Sequence, residues 1–405
     1  MEKQKCPEVR FKGFTLEWEE FKLENMFTFY RGESFSKSDI VKDGNFKCIH
    51  YGELFTKYNS VIDEVLSSTN IKGLNFGRIG DILMPSSDVT PDGLAKASCL
   101  KVDNVLLGGD INILRPVSLI SSVFISYQIN HSKEKILKCV TGTTVKHVYN
   151  KDLKELGYLI TAFKEQTQIG NFFQNLDQSI ALHEKKLAQT QNLKKAMLEK
   201  MFPKAGSKQP EIRLKGFSGD WQVDAIGNVL QEVFRPINLD NETKYRLVTV
   251  KRRNGGIAER AILKGKDILV KSQFEIKAGD YVISKRQVVH GATGLVPHEL
   301  DGSIVSNEYL VGQGTDKLNI EFFALLSTLP EMYKKFFLSS YGVDIEKLFF
   351  DVIDWKKREI LLPSLAEQIQ IAVVFKQLDE TLVLQQQQLQ TLKNLKQAFL
   401  EKMFV

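Results

Sequence analysis

The sequence predicts an α+β chain: two sheet-rich bodies in a pseudo-two-fold tandem repeat, separated by two long antiparallel coiled-coil helices. Three observations predict it. The stretch EQTQIGNFFQNLDQSIALHEKKLAQTQNLKKAMLEKMF, 165–202, returns as EQIQIAVVFKQLDETLVLQQQQLQTLKNLKQAFLEKMF, 367–404. The opening motif PEVRFKGFTLEW, 7–18, returns as PEIRLKGFSGDW, 210–221. Between opening motif and long stretch, each half carries short apolar runs punctuated by Gly, Asn, Asp and Ser, which read as strands and turns. A period this long marks a duplicated domain, since solenoid repeats run about 20–50 residues.

The repeated stretches are helices by periodicity. Apolar residues recur at helical spacing at Ile169, Phe173, Leu176, Ile180 and Leu187, and again at Ile371, Phe375, Leu378, Leu382 and Leu389. Both copies are rich in Gln, Lys, Glu, Leu and Ala, which favour helix. Their middles narrow to a seam stepping by three and four: Leu176, Ile180, His183, Leu187 in one and Leu378, Leu382, Gln385, Leu389 in the other. So narrow a stripe suits a coiled coil better than a globular core. Each helix is therefore expected to bury its stripe on the other. The polar His183 and Gln385 stand at matching seam positions. They are either tolerated polar residues near a helix edge or a pair that sets the register.

The bodies between differ almost completely in sequence. Strand-like runs in the first are FKCIHY, DILMP, VLLGG and INILRP, while LISSVFISYQI could be strand or helix. The second shows YRLVTV, DILVKS, DYVISKR and SIVSNEYLV, followed by a helical stretch IEFFALLSTLPEMYKKFF. The linker signal is PKAGSKQP, where Pro, Gly and Ser join the halves. Expected boundaries are 1–158 and 210–360 for the two bodies, 159–209 for the first helix with its linker, and 361–405 for the second helix.

With 43% hydrophobic and 26% charged residues in 405, the composition is that of ordinary globular material, long enough for two domains. A net charge of +6 is compatible with nucleic acid without requiring it. The four cysteines stand far apart with no CxxC, which indicates neither zinc nor a disulfide framework and suggests a reduced, cytoplasmic compartment. The start MEKQKCPEVR has no apolar leader core, and no apolar run approaches the ~18 residues of a membrane span. Enzyme signatures are absent: no GxxxxGK[ST], no GxGxxG, no HExxH and no Asn-Pro-Pro-aromatic motif. The nearest nuclease pattern is Asp267 with Glu275 and Lys277, an acid followed by Glu-x-Lys, a spacing that chance produces often at this charge content.

The tandem PE-[VI]-R-x-KGF-x(3)-W motif, LPSLAEQIQIA and the LKxAxLEKMF ending together resemble the specificity (S) subunit of type I restriction–modification systems. GDYVISKRQVVHGATGLVP, SIVSNEYLV, HYGELFTKY and GDILMPSSDVTPDG are similar to segments of that family's target-recognition domains. The resemblance covers essentially the whole chain. The first half reads LITAFKEQ where the second reads LLPSLAEQ, so the first helix lacks the usual proline and that signal does not fix its start.

The resemblance implies a non-catalytic DNA reader. Each recognition domain reads one half of an interrupted target, and the helices set the gap. About 30 helical residues at 1.5 Å give roughly 45 Å, a little over one duplex turn of ~34–36 Å. It further implies docking of two methyltransferase (M) subunits and, through them, restriction (R) subunits. S-adenosylmethionine, ATP and Mg would then belong to the partners and no cofactor to this chain. The rival readings are a stand-alone nuclease built on Asp267, Glu275 and Lys277, and a coiled-coil scaffold that binds only protein.

Candidate DNA contacts follow from side-chain chemistry. KRRNGG supplies Lys251, Arg252 and Arg253 in a Gly-ended loop, followed by Arg260, all suited to phosphates. SKRQVVHGA supplies Lys285, Arg286, Gln287 and His290; Arg suits guanine and Gln suits adenine. A carboxylate such as Asp280 could instead hold Arg286. In the first body the candidates are Arg31, Lys37, Tyr51, Lys57, Tyr58, Ser86 and Ser87, mixing cations, aromatics and hydroxyls. The alternatives are a solvated hairpin tip for the KRRNGG loop, a surface strand of alternating polar residues for SKRQVVHGA, core aromatics at Tyr51 and Tyr58, and capping hydroxyls at Ser86 and Ser87.

Overall fold

Two helices of 38 and 39 residues, Phe163–Lys200 and Leu365–Met403, carry the repeated stretch. They begin at the same repeat position although only the second follows a proline. In the first, Thr161 donates its hydroxyl to Glu165; in the second, Ser364 Oγ accepts the Glu367 N–H at 3.3 Å. The molecule, a computed structural model, is described for residues 6–33, 35–345 and 348–405, so the first half of the MEKQKCPEVR stretch read for a leader lies outside the described residues. The chain divides into two compact units, Met1–Lys186 with Gln385–Val405, and Leu187–Leu384. Each unit therefore holds one body, the start of one long helix and the end of the other.

Within each unit the two helix segments run antiparallel. In the first, Phe173 stacks on Phe404 with ring centroids 5.6 Å apart, and farther along Glu184 pairs with Lys393 at 2.7 Å. In the second, Phe202 lies 6.4 Å from Phe375, and Lys194 pairs with Asp379. Leu176, Ile180, His183, Leu187, Leu378, Leu382, Gln385 and Leu389 are all half-buried, as are Met197 and Phe399 farther along the same steps. His183 turns its Nδ1 to the Ser179 carbonyl of its own helix at 2.8 Å, and Gln385 Oε1 is shielded with no partner among the described residues.

The opening motif explains why the ends of the halves stayed alike. Arg10 donates Nε and Nη2 to Glu165 at 2.8 and 2.7 Å, and Arg213 does the same to Glu367 at 2.8 and 2.7 Å. Both glutamates are fully buried, so each carboxylate needs its two-pronged cation. The next residue of each helix, Gln166 or Gln368, accepts the backbone N–H of Ser121 or Asn319 at 2.9 Å. Those two residues cap the short body helices Ser122–His131 and Ile320–Leu326. The motif also holds the end of the other long helix: Val9 N–H reaches the Lys402 carbonyl at 3.0 Å, and Ile212 N–H the Lys200 carbonyl at 2.9 Å. Trp18 and Trp221 are buried beside these contacts. Each half thus builds one hub, in which its opening motif clamps a helix start and a helix end.

The bodies share strand pairing despite unlike sequences. Among the described residues, one sheet of the first body has the order Phe27–Arg31, Ile111–Pro116, Ile82–Pro85, Ser98–Leu100, Val61–Ile62. Its counterpart in the second is Leu230–Glu232, Tyr309–Gly314, Tyr281–Ser284, Thr293–Leu295. The other sheet is centred on a parallel pair in both: Phe46–Ile49 with Val105–Leu107, and Lys244–Val250 with Ile304–Ser306. A Gly-Asp turn precedes the Ile82 and Tyr281 strands, with Gly80 at φ +93° and Gly279 at φ +85°, where a side chain would be strained. The buried Asp81 takes Arg115 at 2.9 and 2.7 Å, and the buried Asp280 takes Arg235 at 2.6 and 3.1 Å.

Several local expectations change. LISSVFISYQI is the helix Ser122–His131, nearly all of it buried, so apolarity alone could not separate it from a strand. FKCIHY is a strand only over Phe46–Ile49; His50 caps the helix Tyr51–Thr56 that follows. DILVKS is not a strand: after the 3-10 turn Gly265–Asp267 only Ile268 is buried, while Leu269 is 95% exposed. IEFFALLSTLPEMYKKFF is two helices, Ile320–Leu326 and Pro330–Leu338, divided at the proline.

Candidate nucleic-acid interface

KRRNGG is the turn of the antiparallel hairpin Lys244–Val250 and Ile257–Lys264. Lys251 N–H closes it on the Gly256 carbonyl at 2.8 Å, and Arg253 and Asn254 both take the left-handed conformation, at φ 58° and 55°. The turn then docks on the second cationic stretch. Arg253 N–H donates to the His290 carbonyl at 2.7 Å, and Asn254 N–H to the Gly291 carbonyl at 2.9 Å. Tyr333 completes the contact by donating its hydroxyl to Asn254 Oδ1 at 3.2 Å. Gly291 is required here, because a Cβ on it would lie 1.9 Å from the Tyr333 hydroxyl oxygen. Two clusters chosen separately in sequence, 251–253 and 285–290, are therefore one surface.

Lys251, Arg252, Arg253, Arg260 and Arg286 are exposed. No ion pair is recorded for Lys251, Arg253 or Arg260 among the described residues, which leaves those charges available to phosphate. Lys285 donates Nζ to the Asn307 carbonyl at 2.8 Å. Arg286 pairs through Nε with Glu308 at 2.7 Å, not with Asp280, which Arg235 already occupies. That hydrogen bond raises the Arg286 pKa and lowers that of Glu308. Gln287 Oε1 is shielded and has no partner among the described residues; His290 is half-buried at the end of the 3-10 turn Val288–His290.

In the first body, Arg31 ends its strand beside a polar concavity of about 380 Å³ that Phe35, His50, Tyr51 and Asp110 also line. Arg31 Nη2 donates to Ser86 Oγ at 3.1 Å and lies 3.6 Å from Asp110 Oδ1. His50 stacks obliquely on Tyr51 with centroids 4.5 Å apart, and burial lowers its pKa. Lys37 is exposed on the turn Lys37–Asp39. Lys57 donates to the buried Glu53 at 2.5 Å and to Ser67 at 3.0 Å, so part of its charge serves the fold.

Three expected contacts are corrected by burial. Tyr58 is a core residue whose hydroxyl accepts the Leu66 N–H at 3.2 Å. Ser86 supports Arg31 from beneath, and Ser87 sits in a short strand pairing with Lys146–His147. Sequence reasoning missed His50, Asn254, Asp110 and Glu308. His50 stood beside the chosen Tyr51, and the left-handed preference of Asn beside glycines could have marked Asn254. The two carboxylates gave no local signal, since only the fold brings them to an arginine.

Among the described residues no group of three His, Cys, Asp or Glu side chains gathers as metal ligands would. Asp267 lies in a turn and Glu275 on a strand, so the nuclease pattern gains no support. Burial pushes the Cys48 thiol up to about 11 and Cys99 to about 12, which keeps both protonated and poorly nucleophilic at neutral pH. No helix among the described residues is long and apolar enough to cross a membrane.

Two bodies of one topology, each offering cationic and polar side chains on loops at its strand ends, define a duplicated protein with a candidate nucleic-acid surface on each body. A family model for the type I restriction modification DNA specificity domain matches residues 15–192 and again 219–394. The chain belongs to that family. It is similar across 99% of its length, and 99% of the other chain's, to the crystal structure of a type I restriction–modification system S subunit from M. genitalium, at 15% identity and a TM-score of 0.61. A second similar structure is the HsdS subunit from Thermoanaerobacter tengcongensis, at 15% identity, 97% and 98% coverage and a TM-score of 0.47.

Proposed function

We propose that this chain is the DNA-reading subunit of a type I restriction–modification complex and performs no chemistry itself. Each body, 1–158 and 210–360, reads one half of an interrupted target, and the paired helices set the gap. The duplicated hubs offer equivalent docking surfaces to two methyltransferase subunits, which in turn bring the restriction subunits. S-adenosylmethionine, ATP and Mg belong to those partners, and the assembly works in the cytoplasm. The observation that carries this reading is the docking of the KRRNGG turn on the 288–291 turn. It concentrates Lys251, Arg253, Lys285 and Arg286 at loops held by backbone hydrogen bonds.

Exchanging residues 229–362 for the body of another specificity subunit should change only one half of the methylated sequence. A change in both halves would defeat independent reading. Lys251→Ala or Arg253→Ala should weaken binding to all sequences alike and flatten the salt dependence by about one unit per lost phosphate contact. An unchanged salt slope in both variants would place phosphate binding elsewhere.

A further inference from the structure

The turn entering the Ile111–Pro116 strand and the turn entering Tyr309–Gly314 occupy the same place in the two bodies. The pairing fixes the match: Ile111 faces Pro85 and Tyr309 faces Ser284. The residue after each of those partners donates its N–H to the turn, Ser86 to the Asp110 carbonyl at 2.9 Å and Lys285 to the Glu308 carbonyl at 3.0 Å. At this matched position both bodies carry a carboxylate with an arginine beside it: Glu308 accepts Arg286 Nε at 2.7 Å, and Asp110 lies 3.6 Å from Arg31 Nη2, which Ser86 holds. Arg31 comes from the end of the Phe27–Arg31 strand and Arg286 from the loop after Tyr281–Ser284. The arginines reach the same turn from different parts of the sheet.

We propose that Arg31 and Arg286 are guanine readers, one in each half of the target, and that Asp110 and Glu308 are their positioning residues. The inference rests on the DNA-reading function proposed above. Each guanidinium keeps a two-donor edge open. Glu308 takes Arg286 through Nε, leaving Nη1 and Nη2. Ser86 takes one Nη2 proton of Arg31, and the other Nη2 proton stays open beside a neighbouring donor, in the Nη1–Nη2 or the Nε–Nη2 edge. Two parallel N–H donors match the O6 and N7 acceptors of guanine in the major groove. The carboxylate argues against a phosphate clamp, because it offsets the cation and repels a phosphate; a neutral base edge is not repelled. The hydrogen bonds from Arg286 to Glu308 and from Arg31 to Ser86 also fix the plane of side chains that would otherwise lose rotamer freedom on binding. Lys251 and Arg253, which make no ion pair among the described residues, have the opposite arrangement and suit phosphate.

The test uses the full chain with its methyltransferase partner in cells, reading methylated adenines by single-molecule sequencing and melting temperature on the purified complexes. R286K keeps the charge and loses the fork, and E308Q keeps the shape and loses the charge. Both should admit other bases at one guanine position of one half-site, with discrimination there falling about tenfold or more. R31K and D110N should do the same at one guanine position in the other half. A motif unchanged in R31K and R286K overturns the proposal, as does a wild-type motif lacking guanine in either half. Uniform loss over all positions makes the arginines phosphate clamps or fold supports and also overturns it. Glu308 and Asp110 are partly exposed, so E308Q and D110N keep the test usable should a lysine variant melt early. A wild-type complex that methylates without sequence preference defeats the DNA-reading function itself, an outcome distinct from an unchanged motif.

Discussion

Asp177 and Asp379 occupy the same position in the two copies of the long helix, yet they are held differently. Asp177 accepts the Tyr127 hydroxyl at 2.6 Å and pairs with Lys396 at 2.5 Å, and only 17% of its side chain is exposed. Asp379 pairs with Lys194, its one ion-pair partner among the described residues, and is 51% exposed. Counting from the caps Ser121 and Asn319, Tyr127 corresponds to Leu325, which cannot reach a carboxylate with a hydrogen bond. One helical turn away, Gln174 donates to Asp63 of the first body at 3.1 Å. Lys376 stands at that repeat position in the second unit and lines an open cleft of about 720 Å³. The first body is bolted to its helix by two side-chain contacts, Tyr127 to Asp177 and Gln174 to Asp63, whereas at these positions the second relies on its hub. The duplication therefore preserved how each body is clamped at its base and let the flank diverge.

The largest expected effects test the equivalence of the hubs. Arg10→Ala strands the buried Glu165, and Arg213→Ala strands Glu367, with arginine side chains only 13% and 17% exposed in the native pairs. Removing one partner of such a pair costs about 3–5 kcal/mol. The two variants should lose similar amounts in denaturant unfolding. A loss several-fold smaller for one would show that its hub is not the anchor described.

A smaller effect should separate the flanks. Tyr127→Phe deletes a hydrogen bond to a charged acceptor and should cost about 1.5–3 kcal/mol. Asp379→Asn breaks a half-exposed pair and should cost under about 1 kcal/mol. Equal losses in thermal unfolding would contradict the contrast between the bolted and open flanks.

How much of this was legible depended on whether a signal was local. The long helices, their seam and the two halves could be read because a 3.6-residue period and a repeat with matching motifs at a constant offset need no tertiary context. The meaning of the repeat could not: that Arg10 meets Glu165 across 155 positions, and Arg213 meets Glu367 across 154, emerges only on folding. Strand runs such as INILRP and YRLVTV were clear, while LISSVFISYQI was ambiguous because burial on all sides erases periodicity. In the candidate interface, cationic loops announced themselves by composition. Their carboxylate partners did not, since Asp110 and Glu308 lie far along the chain from Arg31 or on another turn from Arg286. Hydroxyls misled most: Ser86, Ser87 and Tyr58 can face solvent or core equally well, and here the core took them.

The mildest difference expected between the units is a response to acid. His131, at the end of the Ser122–His131 helix, stacks on Phe404 with centroids 5.8 Å apart, and burial lowers its pKa below the ordinary 6.5. Glu134 and Glu401 act the other way and leave the shift downward. A base whose pKa is lower folded than unfolded binds its proton more readily in the unfolded chain, so stability falls with pH below about 6.5. It is fully present above the unfolded value and is lost progressively towards and through the lowered folded value. The corresponding position in the second unit, counted from the caps, is Leu329, which cannot titrate. Amide exchange in the Ser122–His131 helix should therefore accelerate more between pH 7.5 and about 5.5 than exchange in Ile320–Leu326, after correction for the intrinsic rates. His131→Leu should remove most of that excess. His50, also shifted down by burial, lies in the same unit, so the His131→Leu comparison is what assigns the response. An acid-induced loss of protection that persists unchanged in His131→Leu would move its origin away from the Phe404 contact.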